Sequence, residues 1–399
     1  MADSQGIFKQ IRIAKETAWG VKASAAGASS ILRRTQGNFN LEKEAYSSNE
    51  IRTSQQVVDM RHGTRKVTGN VQGELGSNSY TQLIAAGLRR DFTNGAASAA
   101  VSVTVQKAAQ TFTRGAGSWL TDGYFAGSLV RTSGAANPGN NGTFVVKRAT
   151  ATVLSVEYFG DINPLVDVAT AASITFSSPG KESFVPATGH TDDSFTVEEW
   201  MPDVPLSQTT VGNQVNSMSV SVQPNQMVSA TFDFMGKDAD PTTTTQFFTA
   251  ATAQGATDLF TGSDGIFVAN GIRFTKCTGI NIKLDAGIQQ EAVIGSNAIG
   301  AKSRGKVSVT LDGSVILDGS SFYDFFNAET EVEMIYASRT SDGLGAVSFY
   351  LPNVKIGAFQ KDDGEKVIIA SFSGTALEYN GTAADTRKTT IQFQDAQAV

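Results

Sequence analysis

A chain of 399 residues, 40% of them hydrophobic and 18% charged, has the apolar material for two or three cored domains. Its 39 glycines, only 9 prolines and many Ser, Thr, Ala and Val favour strands joined by tight turns over long charged helices. A formal net charge of −6 argues against the clustered basic surface with which nucleic-acid binders neutralise phosphates, one cysteine rules out an intrachain disulfide, and no apolar run reaches the roughly 18 residues of a membrane helix.

Along the chain, Met1 to Phe8 lacks the basic-then-apolar pattern of a signal peptide, so synthesis in the cytoplasm of whatever cell produces the chain is expected. Val67, Gly69, Val71, Gly73 and Leu75 alternate with Thr68, Asn70, Gln72 and Glu74, and this period of two predicts a strand with one buried face. Ser77-Asn78-Ser79 is expected to cap a short helix carrying Tyr80, Leu83, Ile84 and Leu88. Residues 97–179 hold their own short strand candidates, among them Val101-Val103-Val105, Phe144-Val145-Val146 and Ile174-Thr175-Phe176. That spacing predicts a small β-barrel or Ig-like sandwich, inserted as a unit and projecting outward. Met218, Val220 and Val222, then Val228, Ala230, Phe232 and Phe234, alternate with polar residues on either side of Gln223-Pro224-Asn225-Gln226 and predict a hairpin. Val307, Val309 and Leu311 predict a further strand, and Ser320-Ser321 a cap for a helix bearing Phe322, Phe325 and Phe326. Asn-Gly or Asp-Gly pairs at 94–95, 122–123, 270–271, 312–313, 342–343 and 363–364 are expected at turns.

These elements repeat. Asn38 to Glu44 resembles Gly279 to Asp285, Arg65 to Gly73 resembles Gly305 to Gly313, and Val228, Ala230 and Phe232 are echoed by Ile368, Ala370 and Phe372. The shared order is strand, long polar loop, strand, helix and later hairpin. The expected organisation is a discontinuous first module at 1–96 and 180–240, an insert at 97–179, a linker at 241–264 and a second module at 265–399.

Residues able to carry chemistry are few and dispersed. His62 and His190 lie in polar loops without convergent partners, and Cys277 sits in an apolar, β-branched stretch. Nucleotide-binding and nucleophile-elbow motifs are missing, and the adjacent Glu198 and Glu199 would face opposite sides of a strand. No catalytic, metal or cofactor-binding residue is therefore assigned, and the chain is expected not to be an enzyme. The basic run Arg61-His62-Gly63-Thr64-Arg65-Lys66 suits a charge match between subunits better than a DNA contact.

Ile11 to Gly20, Asn38 to Glu44, Ser48 to Arg52, Arg61 to Gly69, Ser194 to Glu198 and Phe232 to Asp238, taken in order, resemble the tail tube proteins of long, non-contractile-tailed bacteriophages. The insert, with Trp119, Gly123-Tyr124, Arg131 and Asn140 to Phe144, is similar to the small β domain that such tubes often carry. The resemblance implies a mainly β fold, with two tandem β-sandwich or half-barrel modules that each carry a short flanking helix. Six modules would join their inner sheets into a ring, which two modules per chain supply as a trimer; a ring of six chains is the alternative. It also implies a virion-tail subunit whose rings stack into a tube, with tape-measure and terminator proteins as partners and no membrane. DNA would pass through a lumen with more acidic than basic groups and without specific binding. The long loops would supply the contacts between subunits or rings: Ser48, Asn49, Glu50, Ile51, Arg52, Arg61 and Arg65 from the first, and Gln289, Gln290, Glu291, Lys302 and Arg304 from the second. Two other readings of the composition are a β-rich adhesin and a tail-associated polysaccharide hydrolase.

Overall fold

A computed structural model of the chain describes residues 3–363, 365 and 367–399, so Gly364 of the expected Asp363-Gly364 turn lies outside the described residues. The period-two segments form strands. The first module comprises β1 (Gln10–Lys15), β2 (Ser29–Ile31), β3 (Gln36–Ser47), β4 (Met60–Glu74), α1 (Thr81–Leu88), β5 (Phe195–Met201), β6 (Leu206–Val222) and β7 (Ser229–Gly236). The second comprises β8 (Gly265–Ala269), β9 (Ile272–Arg273), β10 (Cys277–Asp285), β11 (Ser308–Ile316), α2 (Ser321–Asn327), β12 (Glu331–Arg339), β13 (Ala346–Lys361) and β14 (Ile369–Ala376).

Eight of these strands run side by side, all antiparallel, in the order β3-β4-β7-β6-β10-β11-β14-β13. Alternate residues, such as Phe39, Val71, Phe232, Val220, Ile282, Leu311 and Phe372, point into one core shared by both modules. Leu83, Ile84 and Leu88 of α1 and Phe322 of α2 close that core from the other side. Each large apolar side chain buried there contributes about 1.5–3 kcal/mol.

The two sets of strands share a cross-strand register. Phe232 lies opposite Val71 as Phe372 lies opposite Gly313, and Phe39 lies opposite Gly69 as Ile282 lies opposite Leu311. Ladder irregularities recur at matching places, around Asn216 in β6 and Gly357 in β13, and between β5 and β6 as between β12 and β13. The outer strands match too, with Ile11 opposite Glu199 and Phe267 opposite Tyr336.

This register corrects the sequence alignment of the repeats by two residues, since Phe39 corresponds to Ile282 rather than Ile280, and Val67 to Val309 rather than Val307. A slip of two keeps every side chain on its own face, so hydrophobic pattern alone cannot detect it. Asp312-Gly313 is a second correction: it lies within β11, where the missing Cβ makes room for the ring of Phe372 opposite. Asn270-Gly271 does turn the chain, between β8 and β9, with φ of 49° and 74°.

Both helices form where expected, but the serines do not cap them through their side chains. Ser77 Oγ and Asn78 N–H instead donate to the carboxylate of Asp395, each at 2.6 Å. That carboxylate belongs to the short strand Gln392–Asp395, which pairs both with β13 and with Lys181–Phe184 and so ties the two modules together.

Between α1 and β5, six strands from Ala99 to Ser177 close a barrel around Phe112, Trp119, Phe144 and Phe176. One wall of the barrel is seated on the second module, where Leu129, Val145 and Phe159 pack with Ile266, Val268, Ile335 and Tyr350. Residues 241–264 are laced along the first module, with Phe248 and Phe260 fully buried. Glu198 anchors this segment by accepting from Ser207 Oγ and from the N–H groups of Phe247 and Phe248 at 2.6–3.0 Å.

Candidate assembly interface

The eight-stranded sheet has two outer edges. Among the described residues β3 pairs only with β4, and Gly357–Lys361 of β13 lie alongside β14 alone. Exposed sheet edges carry unpaired N–H and C=O groups, ready to accept another strand. The edge of β3 is partly covered by side chains: Phe39 N–H donates to Glu199 Oε1 at 3.1 Å, Lys9 Nζ donates to the carbonyl of Gly37 at 3.0 Å, and the two charged groups meet at 2.6 Å.

Within the chain, the same two kinds of edge are already joined. β6 pairs with β10 from Ser217↔Asp285 through Met218↔Leu284 and Val220↔Ile282 to Val222↔Ile280. The irregular position Asn216 fixes the end of this ladder, its carbonyl accepting from Ala286 N–H at 2.7 Å and its Oδ1 from Ile288 N–H at 3.1 Å.

The second long loop continues the junction as an arm folded over the first module. Ile288–Glu291 and Ala301–Arg304 form a two-stranded hairpin, and Ile288 and Ile299 are buried. Arg65 N–H donates to Asn297 O at 2.8 Å, and Gln290 Nε2 donates to Gly236 O at 3.2 Å. Lys302 and Arg304 converge on Asp192, with Arg304 Nε 2.8 Å from Oδ1. Burial pushes the Asp192 carboxyl up, but hydrogen bonds from Lys302 and Gln214 and the nearby charges of Lys302 and Arg304 outweigh it and hold Asp192 below its ordinary value. Burial draws Lys302 and Arg304 down despite their contact with that carboxylate.

Among the described residues, the first arm, between β3 and β4, rests on no other element. Ile51 is 98% exposed, Val57 74%, Met60 62% and Tyr46 60%. Its charged groups satisfy one another locally, Arg52 with Glu50 at 2.7 Å and Arg61 with Asp59 at 2.8 Å. Register pairs its positions with those of the docked arm: Ala45 lies opposite His62 as Ile288 lies opposite Arg304. His62 therefore corresponds to Arg304, Met60 to Lys302 and Val57 to Ile299.

Of the twelve residues expected at contacts, Arg65, Gln290, Lys302 and Arg304 meet at the junction inside the chain. Arg65 also pairs with Asp238 at 2.7 Å. Ser48, Asn49, Glu50, Ile51, Arg52 and Arg61 lie on the unsupported arm, and Gln289 and Glu291 face outward on the docked one. Sequence reasoning missed Asp192, Asn216 and Glu199, whose partners are 72 to 160 residues away and carry no local signal. Cys277 is half-buried, and burial pushes its thiol up to about 11, which suits a packing role.

The sheet face opposite the core is polar. It presents Ser, Thr, Asn and Gln together with Glu42, Glu74, Asp233, Asp285 and Asp312, against Lys66, Lys283 and Lys355. Asp233 accepts from Asn70 and Ser217, both at 2.7 Å, which links three neighbouring strands across this face.

A duplicated β module with an open edge at each end of one sheet, a polar face and an unsupported arm defines a structural subunit of the kind that assembles through its own copies. Residues 9–376 match the family described as phage tail tube protein, and the chain belongs to that family. The family is one of structural components of the virion tail. No curated protein matches the chain.

Proposed function

We propose that three copies of this chain close a ring in which the β13 edge of each pairs with the β3 edge of the next, and that stacked rings form a tube conducting DNA. Three eight-stranded sheets then make one continuous barrel, which removes both open edges of each sheet. The observation that carries this reading is the β6–β10 junction, where the counterparts of those two edges are already joined inside the chain. Transferring its register to the interface sets Ala358 opposite Glu42, Phe359 opposite Leu41, Gln360 opposite Asn40 and Lys361 opposite Phe39 of the next copy.

With the apolar face covered by the helices and by the outer strands β1, β5, β8 and β12, the polar face turns to the bore. Its acidic excess disfavours adhesion of phosphates, so DNA slides without specific binding. The first arm then lies on the neighbour as the second arm lies on the first module, and head-to-tail stacking extends rings into a filament. Tape-measure and terminator proteins would fill and end the tube.

Cysteines at Asn40 and Gln360 test the register. Mild oxidation of assembled Asn40→Cys/Gln360→Cys particles should give covalent trimers under denaturing conditions. A ladder running to six chains would overturn the stoichiometry, and no cross-link in intact tubes would overturn the pairing.

A further inference from the structure

We infer that Lys9 and Glu199 form a displaceable clamp on the free β3 edge, which holds unassembled chains back from strand pairing until a register-matched copy arrives. This rests on the ring reading above and assigns it a control step.

Along a strand, the N–H of one residue and the C=O two residues earlier face the same neighbour. Phe39 N–H and Gly37 C=O are such a set, and the clamp meets both: Glu199 offers the acceptor at 3.1 Å and Lys9 the donor at 3.0 Å. The ion pair thus stands where the main chain of a neighbouring strand would stand. It is held in place rather than loosely exposed, since the Glu199 side chain is 6% accessible and that of Lys9 18%.

Comparison of the modules locates the clamp's purpose. The corresponding edge of β10, at Ile280 and Ile282, is permanently covered by Val222 and Val220 of β6. By register, the positions of Lys9 and Glu199 are there Gly265 and Tyr336, which carry no charge. The ion pair is present at the open edge, and its counterpart positions at the occupied edge are neutral.

Clamp and neighbour exclude one another, because the Phe39 N–H that Glu199 holds is the one that the Lys361 carbonyl of a second copy would take. A hydrogen bond to a carboxylate is stronger than one to a neutral carbonyl. A stray strand offering one or two bonds therefore does not displace Glu199, whereas a full ladder together with a docked arm does. Premature edge-to-edge association is suppressed without closing the edge permanently.

The test compares wild type with Glu199→Ala and Glu199→Gln, the latter keeping an acceptor oxygen but not the charge. Hydrogen exchange on free chains reads the clamp, and light scattering with negative-stain microscopy reads assembly. In Glu199→Ala the Phe39 amide should lose protection while core amides of β4 and β7 keep theirs, and rings should form at concentrations lower by at least about tenfold. Glu199→Gln should fall between. If both variants assemble at the wild-type threshold, or if the Phe39 amide is unprotected in the wild-type free chain, the clamp is wrong while the ring stands. If no chain, wild type included, forms rings at any concentration, the ring reading fails and takes the clamp with it.

Discussion

Val57 and Ile299 occupy the same position of the repeat in two environments, and replacing each by serine separates folding from assembly. Val57 is 74% exposed in the single chain, so Val57→Ser should leave its stability unchanged within about 0.5 kcal/mol. In the ring the residue should become as covered as Ile299, which is 5% exposed. Losing that burial costs about 1–2 kcal/mol per contact, or roughly tenfold in association. A closed trimer has three such contacts, so ring closure should weaken by about a thousandfold. Ile299→Ser should do the reverse, lowering the stability of the free chain by about 3 kcal/mol because the arm loses its anchor on the first module. Thermal melting of dilute protein measures the first quantity, and sedimentation velocity over a range of concentrations the second. A melting temperature lowered by Val57→Ser as far as by Ile299→Ser, or assembly of Val57→Ser at wild-type concentrations, would contradict a shared seat for the two arms.

Glu329 precedes β12 as Asp192 precedes β5, so His62 of a neighbouring arm should approach it; His62→Glu and Glu329→Arg should each reduce ring yield, and the double variant should recover it. Asp192 is held below its ordinary value of 3.8, so its contribution to arm docking should be complete above that value and lost as the pH falls through the depressed one. Exchange of the Gln290 and Lys302 amides against pH should show this acid limb, and Asp192→Asn should abolish it; an unchanged limb in that variant would assign it to another group. Glu74→Lys together with Asp312→Lys should leave tube formation intact yet slow DNA release, measured by dye access to ejected DNA. Release at the wild-type rate would mean that this face does not line the bore.

Much of this architecture is legible in the sequence because a period of two is a strong local signal. The alternations at 67–75 and 218–234 yield β4, β6 and β7, and the recurrence of pattern after Gly279 reveals the second module. The exact correspondence of the repeats is not legible, since a shift of two residues conserves inward and outward faces. Helix positions follow from the spacing of Leu83, Ile84, Leu88 and Phe322, whereas the service of Ser77 and Asn78 to Asp395 depends on a strand more than 300 residues later. The long loops are conspicuous for their polarity, but only the folded chain distinguishes the arm that has found its seat from the one that has not. Asp192 and Glu199 look like ordinary surface acids until the chain brings Arg304 to one and the β3 edge to the other.

The most direct measurement is the symmetry of a single ring in averaged electron micrographs of the assembled tube, at a resolution that separates strands. Three chains are expected around a continuous barrel of twenty-four strands, in which every second junction between modules is β13 against β3 and the barrel inserts lie outside. Six chains in one ring, or β3 and β13 edges left unpaired in the tube wall, would contradict it.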